Sequence, residues 1–269
     1  MTASAVPKAR APEPLFELDR ACFAVGARQL LHPLTLTLPA RSVVGLVGHN
    51  GSGKSTLVKL LARQQPPTGG AIRFGGTKLA DWGDRTFART VAYLPQHTPP
   101  AANLLVRELV ALGRYPWHGP LGRYGQVDRS KVAEAMALTD VERFADRAVE
   151  TLSGGERQRV WLAMLMAQDA KCLLLDEPIS ALDMRHQVEV LSLVRRLSTD
   201  RGLGVVVVLH DVNMAARFCD EVIALRQGRM IARGRADEIM TPACLHSIYD
   251  IPMGVIPHPD GGHALAYVR

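Results

Sequence analysis

The sequence has no run approaching the roughly 18 consecutive apolar residues that a membrane-spanning helix needs. Apolar stretches such as VVVVL at 205–209 and CLLL at 172–175 are strand-length. Cysteine is sparse and scattered: Cys22, Cys172, Cys219 and Cys244 form no CxxC pair. That excludes a disulfide framework or a cysteine metal cluster and suits thiols kept in a reducing compartment. Lysine is scarce too, with 6 against 26 arginines, and the arginines are dispersed. The net charge of +6 is therefore not gathered into a basic block, and aromatics are only 5% of the chain. Nucleic acid is not an expected partner on these grounds. The first fourteen residues, MTASAVPKARAPEP, contain no apolar h-region, so they read as a flexible Ala/Pro leader and not as a secretory signal. The expectation is a protein that stays in the cytosol.

What remains is an ordinary globular balance, 47% apolar and 22% charged over 269 residues. It excludes a disordered, collagen-like or coiled-coil chain and allows one or two domains. Residues 15 to 47 alternate in β fashion, broken at Gly26 and Pro39. Short apolar runs then lead into helical patterns: SVVGLV into KSTLVKLLARQ, CLLL into LDMRHQVEVLSLVRRL, and VVVVL into DVNMAARFC. Strands alternating with helices of this length predict parallel βαβ units. From about 98 to 150 the pattern turns helical, with Pro/Gly-rich breaks at TPPAAN and YPWHGPLGRYG. Short strands return after 220, followed by a small helix and an irregular end.

Gly48-His49-Asn50-Gly51-Ser52-Gly53-Lys54-Ser55 fits GxxxxGK[ST], with a strand running in and an amphipathic helix running out. Glycines let backbone N–H groups turn inward around phosphate oxygens, and the helix start adds partial positive charge. Lys54 is the point charge for the β- and γ-phosphates, and the Ser55 hydroxyl is a ligand for Mg²⁺. Nucleotide binding follows from this segment; the kind of nucleotide hydrolase does not.

Asp176 and Glu177 end a buried-strand pattern, stopped by Pro178. A parallel strand delivers such terminal side chains to the carboxyl edge of the sheet, where ligands bind. Asp176 suits Mg²⁺ coordination, and Glu177 suits polarising an attacking water. Ser153-Gly154-Gly155-Glu156 opens a long helical run, which is either a capped helix after a turn or a second anion site.

GHNGSGKS, YLPQ, LSGGERQR, LLLDEP, SALD and LHD occur in the order found in the ATP-binding cassette (ABC) ATPases, and the chain resembles that family from about residue 16 to 250. The resemblance implies an α/β P-loop cassette: a mainly parallel sheet core, an antiparallel β subdomain and an inserted helical subdomain at about 98–168. One ATPase domain spans 15–250, with a leader at 1–14 and a tail at 251–269. It implies ATP and Mg²⁺ as ligands. Phe23 is to stack on adenine, and Gly48 through Ser55 together with Thr56 are to bind ATP. Ser55, Gln96 and Asp176 are to hold Mg²⁺, and Glu177, His210 and Gln96 are to be catalytic. In this family two cassettes sandwich ATP, so Ser153, Gly154, Gly155, Glu156 and Asp183 are implied to serve the site of a second copy. Ala40-Arg41 departs from the family, which often has a turn glycine there.

One cassette without fused membrane helices points to the motor of a multi-subunit transporter. GRYPWHG, SALDMRHQVEVL and IYDIPMG resemble bacterial ferric-siderophore, haem and cobalamin importers, nearest the ferric hydroxamate (ferrichrome) type. That implies integral-membrane permease subunits as partners, a periplasmic substrate-binding protein indirectly, and a peripheral position on the cytoplasmic face of the bacterial inner membrane. An export or lipoprotein-release cassette is the nearest rival within transport. A soluble kinase or GTPase is disfavoured, because no NKxD string occurs and LSGGE has no use there. Arg114, Tyr115, Pro116 and Trp117 form either a docking surface for the membrane partner or a packed, Pro-stiffened loop. His258, Asp260 and His263 sit in a Pro/Gly-rich tail and read as a solvated loop, not a metal site.

Overall fold

The computed structural model describes residues 14–119, 122–180, 182–259 and 261–269. The leader therefore lies outside the described residues apart from Pro14, as do Ala181 of SALD and Asp260 of the tail.

Strands β1 (Pro14–Val25) and β2 (Arg28–Pro39) form a hairpin turning at Gly26, and Pro39 ends it. Arg41, in the turn that follows, takes φ 55°, the left-handed conformation that glycine adopts without steric cost. This accounts for the family's preference there. β3 (Val43–Val47) leads into α1 (Lys54–Leu61). β4 (Gly69–Phe74) and β5 (Thr77–Lys78) complete an antiparallel sheet of order β2-β1-β4-β5. α2 (Asp84–Ala88) and β6 (Val91–Leu94) precede four helices: α3 (Val106–Leu112), α4 (Tyr115–His118), α5 (Gln126–Leu138) and α6 (Gly154–Ala167).

The βαβ alternation then resumes with β7 (Cys172–Leu175), α7 (Met184–Arg201), β8 (Gly204–Val208), α8 (Val212–Phe218) and β9 (Glu221–Arg226). β10 (Arg229–Gly234) turns back antiparallel on β9. The central sheet has the order β10-β9-β3-β8-β7-β6, and every pairing from β9 to β6 is parallel.

Its inner strands are apolar on both faces, as buried parallel strands must be. Alternate residues feed two cores. Val205, Val207, Leu173 and Leu175 face the helices from α3 onward, while Val206, Val208, Leu174 and Leu46 face α1 and the antiparallel sheet. Because β6, β7, β8 and β3 run side by side and in one direction, the chain leaves all four at one edge. Gln96, Asp176, His210 and the glycine-rich loop follow those four strands in sequence.

The end of the chain corrects the expected small helix and irregular tail. Two helices, α9 (Ala236–Ile239) and α10 (Pro242–Tyr249), precede a hairpin of β11 (Met253–Ile256) and β12 (Leu265–Val268). Asn213 of α8 anchors it, its Nδ2 donating to the Ala266 carbonyl at 3.1 Å and its Oδ1 accepting from the Ala266 amide at 2.8 Å.

The 114–117 segment divides between its two readings. Arg114 is buried: its Nε donates to Asp128 Oδ1 at 2.9 Å, its Nη1 donates to the Ala167 carbonyl at 2.8 Å, and its guanidinium stacks on Trp117. Trp117 Nε1 donates to the Gln168 carbonyl, whereas Tyr115 is exposed. The Gly125 amide and Arg114 hold the Asp128 carboxyl below its ordinary range. Arg114→Ala would strand that carboxylate in the interior. Breaking a buried pair in this way costs about 3 kcal/mol. Thermal unfolding should accordingly drop by roughly 8 °C for a domain of this size. An unchanged melting temperature would contradict the packing role.

Candidate active site

The loop after β3 closes back over α1. Gly48 has φ 137°, and a Cβ there would stand 2.1 Å from the Leu225 carbonyl oxygen, so the position requires glycine. Gly53, also at positive φ, starts α1. Lys54 is buried, and its Nζ donates to the carbonyls of Gly48 at 2.7 Å and His49 at 2.8 Å. Burial pushes its pKa down, opposed by the negative charges of Glu177 and Asp176. A cavity of about 360 Å³ opens beside this loop, walled by Asn50 through Thr56, by Gln96, Glu177 and His210, and by Arg28 and Leu30.

Asp176 is buried at the end of β7, and its Oδ1 accepts from Ser55 Oγ at 2.8 Å. Its Oδ2 is buried without a hydrogen-bond partner among the described residues. Burial raises its pKa, Ser55 lowers it and the charge of Glu177 raises it further. An unpartnered carboxylate oxygen beside a serine hydroxyl, at the foot of a phosphate-sized loop, is a donor set that fits a hard divalent cation. The same carboxylate, after burial, helps push the Tyr93 phenol up to about 12.

Glu177 adopts φ 54°, a strained conformation for a non-glycine residue. Its Oε2 accepts from Gln96 Nε2 at 2.6 Å and lies 2.8 Å from His210 Nε2. The side chain is nine-tenths buried while His210 is well exposed, so the carboxylate sits at the cavity wall with two polar groups converging on it. A carboxylate so held suits proton abstraction from a water in the cavity.

The Ser153 segment borders a neighbouring cavity, where Gly154 shares the wall with Gln96 and Glu177. Ser153 caps α6 in a capping box: its Oγ accepts from the Glu156 amide, and Glu156 Oε2 accepts from the Ser153 amide and hydroxyl, both at 2.9 Å. These bonds hold the Glu156 carboxyl below its usual range. Gly155 is buried against His186, where a Cβ would come within 2.4 Å of the ring. His186 Nδ1 is in turn 2.8 Å from both Asp183 carboxylate oxygens, and Asp183 caps α7. None of Ser153, Gly154, Gly155, Glu156 or Asp183 lines the cavity at the Lys54 loop.

The structure thus gathers the Lys54 loop, Ser55, Thr56, Gln96, Glu177 and His210 around one cavity, and Asp176 joins them through its bond to Ser55. Phe23 lies in β1 opposite Leu31, half-buried against the second core, and is not among the residues lining that cavity. His49 turns outward, its Nε2 bonded to the carbonyl of Tyr249. Arg28 and Leu30 escaped sequence reasoning because no motif marks them; the hairpin register brings them there.

The sequence profile of the ABC transporter family matches residues 31–180. The chain is 38% identical over 234 residues to the iron(3+)-hydroxamate import ATP-binding protein of Bacillus subtilis, covering 87% of each. It is 44% identical over 241 residues to the hemin import ATP-binding protein of Streptomyces coelicolor, covering 90% of this chain and 85% of that protein. Among solved structures, a putative metal-chelate type ABC transporter in an inward-facing conformation has TM-score 0.84 at 24% identity, covering 96% of this chain and 98% of that one. A dimeric cassette bound to ADP and phosphate, MJ0796, has TM-score 0.71 at 27% identity, covering 82% and 98%.

Proposed function

Since this chain belongs to the ABC transporter family, as an ATP-hydrolysing import subunit of the siderophore and haem type, we propose that it powers uptake of a ferric siderophore, with ferric hydroxamate the first candidate. The observation that carries the catalytic reading is the convergence of Ser55, Glu177, Gln96 and His210 on the cavity beside Lys54, with Asp176 bonded to Ser55.

In this reading the backbone amides of residues 49–54 and the start of α1 hold the nucleotide phosphates. Lys54 gives up the two loop carbonyls for the β- and γ-phosphates. The β1–β2 hairpin, carrying Phe23, Arg28 and Leu30, receives the base. Ser55 and Asp176, with Gln96, are the residues that would hold Mg²⁺, whose charge offsets that of the β- and γ-phosphate oxygens. Glu177 accepts a proton from the attacking water as its oxygen bonds to the γ-phosphorus and the bond to the β-phosphate oxygen breaks. ADP, inorganic phosphate and that proton then leave. His210, beside Glu177, steadies the γ-phosphate.

Ser153, Gly154 and Gly155 act on the γ-phosphate of a second copy, with Glu156 fixing the serine and Asp183 reaching across the interface. That assignment is supported by their absence from the lining of this chain's own Lys54 cavity. Among the described residues no helix is long and apolar enough to cross a membrane. The proposed setting is therefore peripheral, on integral-membrane permease subunits at the cytoplasmic face of the inner membrane, with a periplasmic binding protein delivering cargo. Nucleic acid has no part in it.

The 44% identity to a hemin import protein makes haem the second reading. A strain lacking this protein should lose uptake of labelled ferric hydroxamate and keep uptake of other ferric chelates, haem and cobalamin. Selective loss of haem uptake instead would establish the second reading, and intact uptake of all four would overturn both.

A further inference from the structure

Tyr249, the last residue of α10, touches both sides of the site from behind. Its carbonyl accepts from His49 Nε2 on the Lys54 loop, and the two rings meet edge-to-face with centroids 5.7 Å apart. Its hydroxyl donates to the backbone carbonyl of His210 at 3.3 Å. Gly48, His49, Asn50, His210 and Tyr249 line one cavity there. Burial, with the nearby Asp211 carboxylate, pushes the Tyr249 phenol above its ordinary range, so it remains a protonated donor at neutral pH.

The rest of α10 does not need these bonds to stay in place. Leu245 and Ile248 are fully buried, and Arg226 donates to the Ser247 carbonyl at 3.0 Å and pairs with Asp250 at 2.9 Å. The His210 segment is tied to the end of the chain a second time, through Asn213 and Ala266. The glycine-rich loop motif leaves position 49 open. A histidine there, turned out of the phosphate cavity onto α10, is available for a link that phosphate binding does not require.

We propose that Tyr249 is a positioning residue that sets the His210 backbone against the Lys54 loop, and so fixes the His210 imidazole at Glu177. This rests on the reading of His210 given above. The C-terminal segment is then a brace for the hydrolytic step and not for nucleotide capture, because it grips His210 by its backbone and leaves the phosphate-facing amides alone.

The test is Tyr249→Phe, which keeps the ring and its packing and deletes one donor. The expected result is a kcat for ATP hydrolysis lowered about fivefold, the rate equivalent of one net hydrogen bond. KM and the dissociation constant for ATP should stay within about twofold, because only hydrolysis depends on the brace. Asn213→Ala, which frees the other tie, should also lower kcat without raising KM. In single-turnover assays on a His210→Ala background, Tyr249→Phe should have no further effect, because the brace acts through that residue. A wild-type kcat in Tyr249→Phe beside a slow His210→Ala enzyme would overturn the brace alone. So would a rise in KM at constant kcat, or a full Tyr249→Phe effect in the absence of His210. Undiminished turnover in His210→Ala would overturn the assignment of His210 itself, and the brace with it.

Discussion

Glu177→Gln should lower ATP hydrolysis by at least about a hundredfold while ATP still binds, consistent with the usual contribution of a general base. The substitution keeps the shape of the side chain and leaves an amide oxygen for the bonds from Gln96 Nε2 and His210 Nε2 that now converge on Oε2. It removes the negative charge, and with it the acceptor for the water proton. The Lys54 loop and the Asp176–Ser55 pair are untouched. A chain that binds ATP and cannot cleave it should accumulate in the closed, ATP-bridged dimer, because the γ-phosphate that favours that state persists. Phosphate release measures the first effect, and size-exclusion chromatography at saturating Mg-ATP measures the second. Turnover within tenfold of the parent, or a persistent monomer, would contradict the role given to Glu177. Its left-handed backbone bears on the same point, since a strained conformation at the end of a buried strand is held by the surrounding packing and aims the carboxylate into the cavity.

Sequence made the chemistry legible wherever function is tied to backbone geometry. The glycines of the Lys54 loop had to be glycines, as the carbonyl of Leu225 against Gly48 demonstrates. Asp176, His210 and Gln96 could be assigned to one edge because runs such as CLLL and VVVVL are buried on both faces, and parallel strands so buried end together. What stayed hidden depends on contacts between distant segments. Tyr249 meets His49 across 200 positions, and no local pattern encodes that meeting. Arg28 and Leu30 reach the cavity wall through the register of a bulged hairpin. Arg114 in a Pro/Gly-rich break carries the same local signature exposed or buried, and only the Asp128 carboxylate and the Ala167 carbonyl decide between them. The final hairpin was masked by the glycines and prolines of its own turn, since its pairing is stabilised from outside by Asn213.

Lys54→Ala should abolish hydrolysis by removing the cation that neutralises the β- and γ-phosphates. Lys54 is 4% exposed and its pKa is lowered, so burial opposes its charge in the free protein. A residue that is penalised where it stands is kept for what it does to a ligand. Its removal should therefore change the melting temperature by only a few degrees, water in the open cavity hydrating the carbonyls of Gly48 and His49. Nucleotide affinity and turnover should collapse together.

The same variant tests whether the site is shared. Ser153→Arg places a bulky side chain at the start of α6, outside the lining of this chain's own cavity, and should leave nucleotide binding to the isolated chain intact while stopping hydrolysis. Mixed dimers of the two inactive variants carry one doubly damaged site and one intact site, formed from the Ser153→Arg chain's Lys54 loop and the Lys54→Ala chain's serine-glycine segment. An equal mixture should recover about a quarter of the parental sites if chains pair at random in a two-fold dimer. If mixed dimers form and remain inactive, each chain completes its own site, and the assignment of Ser153 to a second copy is wrong.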